Sequence, residues 1–350
     1  MARKKQYLET DVLTAARQRI HHIADTHDTI AVCFSGGKDS LAVLHLTREV
    51  LAERGVQTVN AVFRDEELIP DTVINFVEHY RQQPWVKMLY FAVPLLSSKY
   101  ILGRSYEYVQ WDQNRKHVRP IPEHAIRSAA GDTRVFDQYS MDEYTATFYK
   151  GKVALLTGIR ASESIMRFRA SVNKLNENYI NASSSGRVAL CKPIFDWEEN
   201  DIFRYFYDAG VAYCPYYDYQ MSAGRALRVS TPLHAEQSKR IGALREIDPE
   251  FYDRVLGIFP EMRVQDRYYS ELDRAGITAK YGQDMAGVRA YIDDTTTDEE
   301  QHAKAVARLR TIIAMRAKSP QSYPPEYVLK YFMAGTFKRM LLPIGKQSAK

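Results

Sequence analysis

Apolar and polar positions along this chain follow two patterns, short apolar runs and apolar positions at helical spacing. The apolar runs 29–33, 56–63, 86–93 and 153–157 are typical of strands buried on both faces. Helix-spaced apolar positions lie before the first run, between the runs at 41–46 and 71–83, and again at 198–208. This alternation predicts an α/β fold with a doubly wound, mainly parallel sheet.

Two parts of the chain depart from this rhythm. Residues 97–150 form an insertion that is rich in aromatic and basic side chains. From about residue 236 the pattern is helical, with a charged amphipathic segment at 295–316 and a last helix near the end. We therefore expect an α/β domain over 1–235, which includes the insertion, and a helical C-terminal region over 236–350.

Composition limits the classes of function. The chain has 350 residues, of which 45% are hydrophobic and 26% charged, and its net charge of +5 permits a nucleotide or nucleic-acid partner without requiring one. No apolar run approaches the roughly 18 residues of a membrane span, and the N-terminus lacks the apolar segment of a secretion signal. Cys33, Cys191 and Cys214 are too few for a disulfide framework. These features predict a cytoplasmic protein without a membrane partner.

The strongest chemical signal is the stretch 34–40, with the sequence F-S-G-G-K-D-S, between the first apolar run and a helix. Free amides and the helix dipole at such a helix N-terminus attract an anion. Gly36 and Gly37 permit close approach of the ligand, Ser35 and Ser40 can donate hydroxyl hydrogens, and Lys38 adds a positive charge. The stretch predicts a phosphate ligand, although the spacings of the Walker loop and of the dinucleotide-binding loop are absent.

A second group of polar residues follows the run 153–157. Gly158 would allow a planar base to approach, and the Arg160 guanidinium could bind a phosphate. Glu163 could hold Arg160 or Arg167 in place. Farther along, Asp196 stands where the N-cap of the helix 198–208 is expected.

Basic side chains of the insertion suggest a surface for a second substrate, because basic residues among aromatics can bind phosphates and stack bases. A loop-rich subdomain with an ordinary surface, or a surface for a protein partner, is the alternative. The candidates on this acceptor side are Arg115, Lys116 and Arg119, beside Trp111 and His117, together with Arg225 and Arg228.

Three motifs in order resemble one family. S-G-G-K-D-S at 35–40 is similar to the PP-loop of ATP pyrophosphatases, and G-I-R-A-S-E-S at 158–164 and P-I-F-D-W at 193–197 resemble the phosphoadenosine phosphosulfate (PAPS) reductase-like branch. The segments 111–112, 118–120 and 225–232 look like a subgroup that includes a coactivator of prophage gene expression, often encoded beside a ParB/sulfiredoxin-like partner. The DNA phosphorothioation sulfurtransferase is a more distant relative.

The resemblance implies that the PP-loop holds the diphosphate of ATP during attack on the α-phosphorus, which gives AMP or an adenylate plus pyrophosphate. Lys38, Asp39 and Arg160 would be catalytic. Mg²⁺ would bridge the phosphates, held by Asp39, Asp65 or Glu66. The acceptor could be a nucleic acid, in a setting of phage or mobile-element conflict. The implied nucleotide-binding residues are Ser35, Gly36, Gly37, Lys38, Asp39, Ser40, Asp65, Gly158, Arg160 and Glu163.

One departure from the family separates this chain from sulfonucleotide reductases. Those enzymes attack with a cysteine in a C-terminal Glu-Cys-Gly motif, whereas the last cysteine here is Cys214 and no C-x-x-C occurs. We therefore expect neither sulfonucleotide reduction nor an iron–sulfur cluster, and we interpret Cys33 as a buried core residue. Cys191 and Cys214 are either packed in the core or sulfur carriers. A nucleotide-binding regulator without turnover and a PAPS-using transferase remain the alternative functions.

Overall fold

The computed structural model describes residues 9–102, 104–163, 167, 178–183, 185–225, 227–238, 241–267, 274–296, 299–333 and 340–344. A six-stranded sheet with the order β3–β2–β1–β6–β8–β7 lies at its centre. The first five of these strands run parallel, and β7 lies antiparallel at the edge beside β8. The predicted α/β fold is therefore confirmed. The strands of the sheet are β1 (Thr29–Cys33), β2 (Val59–Arg64), β3 (Val86–Phe91), β6 (Val153–Leu156), β7 (Ile180–Ala182) and β8 (Val188–Cys191).

Helices cover both faces of the sheet, as expected for strands that read as continuous apolar runs. On one face, Val32 belongs to a core cluster with residues of α1, α2, α3 and α5. On the other face, Ala31 belongs to a second cluster with Met141 and Ala146 of α4. The covering helices are α1 (Val12–Thr26), α2 (Lys38–Glu53), α3 (Asp71–Arg81), α4 (Gln138–Ala146) and α5 (Glu199–Ala209).

The insertion is built on a β-hairpin that the sequence pattern did not predict. Strands β4 (Leu95–Ile101) and β5 (Arg104–Gln110) pair antiparallel, with Leu95 opposite Gln110. Tyr108 of this hairpin and Val118 belong to a core cluster with Leu244 and Phe251. The helices Ile241–Ile247 and Pro249–Ile258 therefore pack with the insertion.

Two compact units make up the chain, Met1–Arg263 and Val264–Lys350. The division lies later than the expected boundary at 235, because the helices Ile241–Ile247 and Pro249–Ile258 pack within the first unit. The second unit has a core of its own, which includes Val288, Leu309 and Phe332. The remaining helices are α6 (Tyr216–Ser222), α7 (Ala235–Ser238), α8 (Ile241–Ile247), α9 (Pro249–Ile258), α10 (Met262–Arg267), α11 (Arg274–Tyr281), α12 (Met285–Thr295), α13 (Glu299–Lys318) and α14 (Pro325–Met333). Over the described ranges, no helix is both long enough and apolar enough to cross a membrane.

The expected N-cap at Asp196 was wrong. The Trp197 amide donates to the Ile194 carbonyl in a turn, and α5 therefore begins only after Glu198, which is its N-cap. The Asp196 carboxylate instead accepts two hydrogen bonds from Arg19 of α1, at 2.7 and 2.6 Å. This residue therefore joins the chain after β8 to the first helix.

Candidate functional site

The phosphate-type loop connects β1 to α2, with Gly37 as the N-cap of a helix that begins at Lys38. Gly36 has a φ of +76°, a conformation that other residues rarely adopt. A Cβ atom there would also lie 2.9 Å from Cγ2 of Val77 and 3.0 Å from Cγ1 of Val73. Glycine is thus required at this position by both the backbone conformation and the packing of α3.

Two serine hydroxyls form hydrogen bonds within the loop. The Ser40 hydroxyl accepts from the Ser35 amide at 3.1 Å and donates to the Gly37 carbonyl at 3.0 Å. The two hydroxyl oxygens are 3.0 Å apart. In this structure the predicted donors Ser35 and Ser40 therefore maintain the shape of the loop.

Gly158 brings the end of β6 against the start of α2. A Cβ atom on Gly158 would lie 2.6 Å from the carbonyl carbon of Asp39 and 2.7 Å from the amide nitrogen of Ser40. Both neighbours are backbone atoms, which cannot move aside as a flexible side chain would. Packing against α2 is thus the requirement for glycine that the structure reveals, whereas the sequence suggested close approach of a planar base.

Charged side chains converge on Asp39 in the first turn of α2. The Arg160 Nε donates to Asp39 Oδ1 at 2.5 Å, and the Lys38 Nζ lies 3.4 Å from Oδ2. Glu163 accepts from the Arg160 amide at 3.2 Å and also forms an ion pair with Arg167. Lys38 and Arg160 are almost completely buried. Glu163 therefore contacts both arginines that the sequence offered as its partners.

Lys38 also contacts three residues that no sequence motif indicated. Its Nζ donates to the Leu227 carbonyl at 3.2 Å and lies 3.1 Å from the Glu199 carboxylate. Its amide donates to the Tyr217 hydroxyl at 2.9 Å. These contacts come from α5, α6 and the following segment, so this part of the chain encloses the phosphate-type loop.

A cavity of about 170 Å³ opens beside the loop at the carboxyl ends of four parallel strands. This is the edge at which open α/β sheets bind ligands. Arg64 and Asp142 form an ion pair in its wall, with Nη2 and Oδ1 2.5 Å apart. Burial raises the pKa of the Asp142 carboxyl, while the nearby Arg64 charge opposes this shift. The lining residues are Cys33, Phe34, Ser35, Val62, Arg64, Glu66, Gln138, Asp142, Thr157 and Leu190.

Asp65, a predicted ligand of nucleotide and Mg²⁺, is buried among hydrogen-bond donors. Its carboxylate accepts from Tyr90 at 2.7 Å, from the Glu67 amide at 2.9 Å and from Arg119 at 2.5 Å. Its carbonyl accepts from the Trp111 ring nitrogen at 2.7 Å. These contacts anchor the insertion to the end of β2, so Asp65 has a structural role in this structure.

The acceptor-side arginines of the insertion are internal as well. Arg115 makes two hydrogen bonds to the fully buried Glu67 carboxylate, at 2.7 and 2.5 Å, and Arg119 pairs with Asp65. Both therefore neutralise buried carboxylates and are not available to grip a nucleic acid. Lys116 is exposed. In the later segment, Arg225 pairs with Glu246 at 2.5 Å, and Arg228 is exposed.

The predicted Mg²⁺ ligands Asp39, Asp65 and Glu66 differ in their hydrogen-bond partners and in their burial. The two carboxylate oxygens of Asp39 pair with Lys38 and Arg160, and the Asp65 carboxylate pairs with Arg119. Glu66 is half-buried, and burial raises the pKa of its carboxyl. Within the described ranges, no group of three or more His, Cys, Asp or Glu residues could hold a metal ion. Because Asp39 and Asp65 are already paired with cations, these residues do not form a Mg²⁺ site by themselves.

All three cysteines are held as neutral thiols. Burial raises the pKa of Cys33 and of Cys214 to about 11, and that of Cys191 to about 12. Cys191 and Cys214 are buried, as the core interpretation expected. Cys33 is half-buried: it packs against the cluster that contains Ala31, in agreement with the core interpretation, and it also lines the cavity.

Comparison with known proteins identifies the family of this chain. Residues 29–255 match the phosphoadenosine phosphosulfate reductase domain. The uncharacterized protein YbdN of Escherichia coli K12 is 30% identical over 262 residues, and the match spans 69% of this chain and 64% of YbdN.

Two similar solved structures come from yeasts. FMN adenylyltransferase of Candida glabrata, in complex with FMN and the ATP analogue AMPCPP, has a TM-score of 0.40 and 13% identity over 65% of this chain and 66% of its own. PAPS reductase of Candida auris, in a phosphate complex, has a TM-score of 0.35 and 12% identity over 62% and 90%. The domain match covers well over half of the sequence, and this chain therefore belongs to the PAPS reductase domain family of the PP-loop superfamily.

Proposed function

We propose that this protein is a PP-loop enzyme that binds ATP and cleaves the bond between its α- and β-phosphates. One observation supports this above all. The half-buried Asp39 pairs with the buried Lys38 and Arg160 at the N-terminus of α2, beside an open cavity at the carboxyl edge of the sheet. The cavity suits the adenosine, and the loop suits the diphosphate.

In the proposed reaction, an acceptor oxygen or water attacks the α-phosphorus as the bond to the α–β bridging oxygen breaks. Pyrophosphate leaves with that oxygen and its electron pair, and the product is an adenylate or AMP. Charge builds on the leaving pyrophosphate, where Lys38 and Arg160 would stabilise it. Asp39 holds both cations, so catalysis would come from positioning and charge neutralisation rather than from a covalent nucleophile.

The neutral thiols argue against the cysteine chemistry of sulfonucleotide reductases. A thiolate is the attacking species in cysteine chemistry, and thiols whose pKa lies at about 11 or 12 carry almost no thiolate at neutral pH. Sulfonucleotide reduction through these cysteines is therefore not proposed. The sequence offered a nucleic acid as the acceptor, but Arg115 and Arg119 pair with buried carboxylates and give that choice no support, so the test below is run both with and without nucleic acid.

Incubation with α-labelled ATP and Mg²⁺, with and without DNA or RNA, tests the proposal. The expected products are AMP or an adenylated acceptor. Arg160→Ala should lower the rate by about 10²–10³-fold, since it removes a charge that would face the leaving group. Arg204→Ala is the matched control, because this exposed arginine pairs with Asp208 one turn along its own helix.

Three outcomes would contradict the proposal in different ways. ADP as the main product would refute cleavage at the α-phosphorus. Tight ATP binding without any product, under all acceptor conditions, would favour the nucleotide-binding regulator. Binding of PAPS in preference to ATP would favour the PAPS-using transferase.

A further inference from the structure

The Tyr217 hydroxyl lies at the N-terminus of α2, although Tyr217 belongs to α6 far along the chain. Its oxygen accepts the Lys38 amide at 2.9 Å, and its ring lies 5.4 Å from the Lys38 ammonium. A Cβ atom on Gly37 would be 3.3 Å from the same oxygen. The hydroxyl therefore stands directly beside the loop at which the diphosphate would bind.

The phenol keeps a hydrogen that it can donate. Its oxygen receives the Lys38 N–H, and the described contacts show no acceptor for the phenol's own hydrogen. Tyr217 is 1% exposed, and burial raises the pKa of its hydroxyl, so the group stays protonated at neutral pH. Tyr217 is thus a neutral, buried hydrogen-bond donor at an anion-binding loop.

Neighbouring contacts hold this hydroxyl in place. The Tyr217 amide donates to the Cys214 carbonyl at 3.1 Å. The Gln220 side chain makes two hydrogen bonds to the Arg228 backbone, at 2.6 and 2.9 Å, which tie α6 to the following segment. Cγ2 of Val229 in that segment would lie 2.9 Å from a Cβ atom on Gly37. The hydroxyl is therefore positioned before any ligand binds, as binding sites require.

We propose that Tyr217 is a phosphate-binding residue, whose hydroxyl donates a hydrogen bond to the diphosphate of the nucleotide. This inference rests on the proposed function, because it assumes that the loop binds a nucleotide diphosphate. A hydrogen bond to a charged oxygen is stronger than one to a neutral acceptor. In the contrasting role, the hydroxyl only accepts the hydrogen bond of the Lys38 amide and is displaced when a phosphate takes its place.

Binding of ATP, AMP and inorganic pyrophosphate to wild type and to Tyr217→Phe, measured by calorimetry with Mg²⁺ present, tests this inference. The variant keeps the ring and removes only the hydroxyl. ATP and pyrophosphate should bind about 10-fold or more weakly, as expected for loss of a hydrogen bond to a charged group, whereas AMP affinity should stay unchanged. Tyr216→Phe is the matched control, a buried tyrosine next in sequence.

A second measurement does not depend on the stability of the variant. Fluorotyrosine inserted at position 217 retains the hydroxyl, and its fluorine resonance should shift on addition of pyrophosphate. Tighter ATP binding by Tyr217→Phe than by wild type would show that the hydroxyl only blocks the Lys38 amide. Equal ATP binding by the two proteins, or a fluorine resonance that does not shift, would show that the hydroxyl does not contact the phosphate. Each of these results overturns the inference. If wild type binds neither ATP nor pyrophosphate, the proposed function fails and this inference fails with it.

Discussion

Gly158→Ala should both destabilise the protein and impair the phosphate loop. The added methyl carbon would lie 2.6 and 2.7 Å from backbone atoms of Asp39 and Ser40, distances at which the structure must shift. Overpacking of this kind costs about 1–3 kcal/mol. In a unit of this size, the melting temperature should fall by about 2–4 °C for each kcal/mol.

Function should suffer more than stability, because the strain falls on the first turn of α2. A displacement of the catalytic group on the order of 1 Å can reduce a rate about 100-fold. We expect product formation from ATP to drop by at least that factor at a temperature at which the variant remains folded.

Gly257→Ala provides the matched control. It is the same substitution inside helix α9, where, apart from the helix's own nearby backbone and the adjacent residues, the described residues place no atom within 4 Å of the added carbon. Alanine favours the helix by up to about 1 kcal/mol. Thermal melting and ATP turnover of both variants are to be compared with wild type. If Gly158→Ala melts and turns over like wild type, the close contact between β6 and α2 is not present in solution.

Three further predictions follow from buried groups. Burial lowers the pKa of His45 to about 4, so protonation favours the unfolded chain, and the free energy of unfolding should fall as the pH drops from about 6.5 to 4. Urea unfolding at pH 7 and pH 5 should show a loss of about 2 kcal/mol, and this loss should be absent in His45→Gln. Arg119→Ala should lower the free energy of unfolding by about 3–5 kcal/mol, because it leaves the buried Asp65 carboxylate without its cation. Replacement of the exposed Lys116 by alanine should change that free energy by less than about 0.5 kcal/mol. Equal urea midpoints for the two variants would contradict the ion pair. Joint replacement of Cys191 and Cys214 by alanine should leave ATP turnover within a few-fold of wild type, and a loss above about 100-fold would implicate a thiol.

The prediction of the sheet succeeded because its evidence is local. Strands buried on both faces require continuous apolar runs, and a glycine-rich loop between such a run and a helix signals an anion site within a few residues. The hairpin β4–β5 lacked that signal, since most of its positions are exposed or half-buried and show no sustained alternation. Its strands are defined by their pairing with each other and by packing of Tyr108 against helices near residue 250.

The amino-acid sequence by itself determined the fold class, the phosphate-type loop and the place of Arg160 beside it, since each depends on residues close together in the chain or at the end of a neighbouring strand. Only the tertiary structure decided the roles of charged residues. Arg119 lies 54 residues from its partner Asp65, and Tyr217 lies 179 residues from Lys38. A basic side chain has the same appearance in a sequence whether it faces solvent or a buried carboxylate. Folding makes that choice, because a carboxylate removed from water is stable only when a cation or hydrogen-bond donors accompany it.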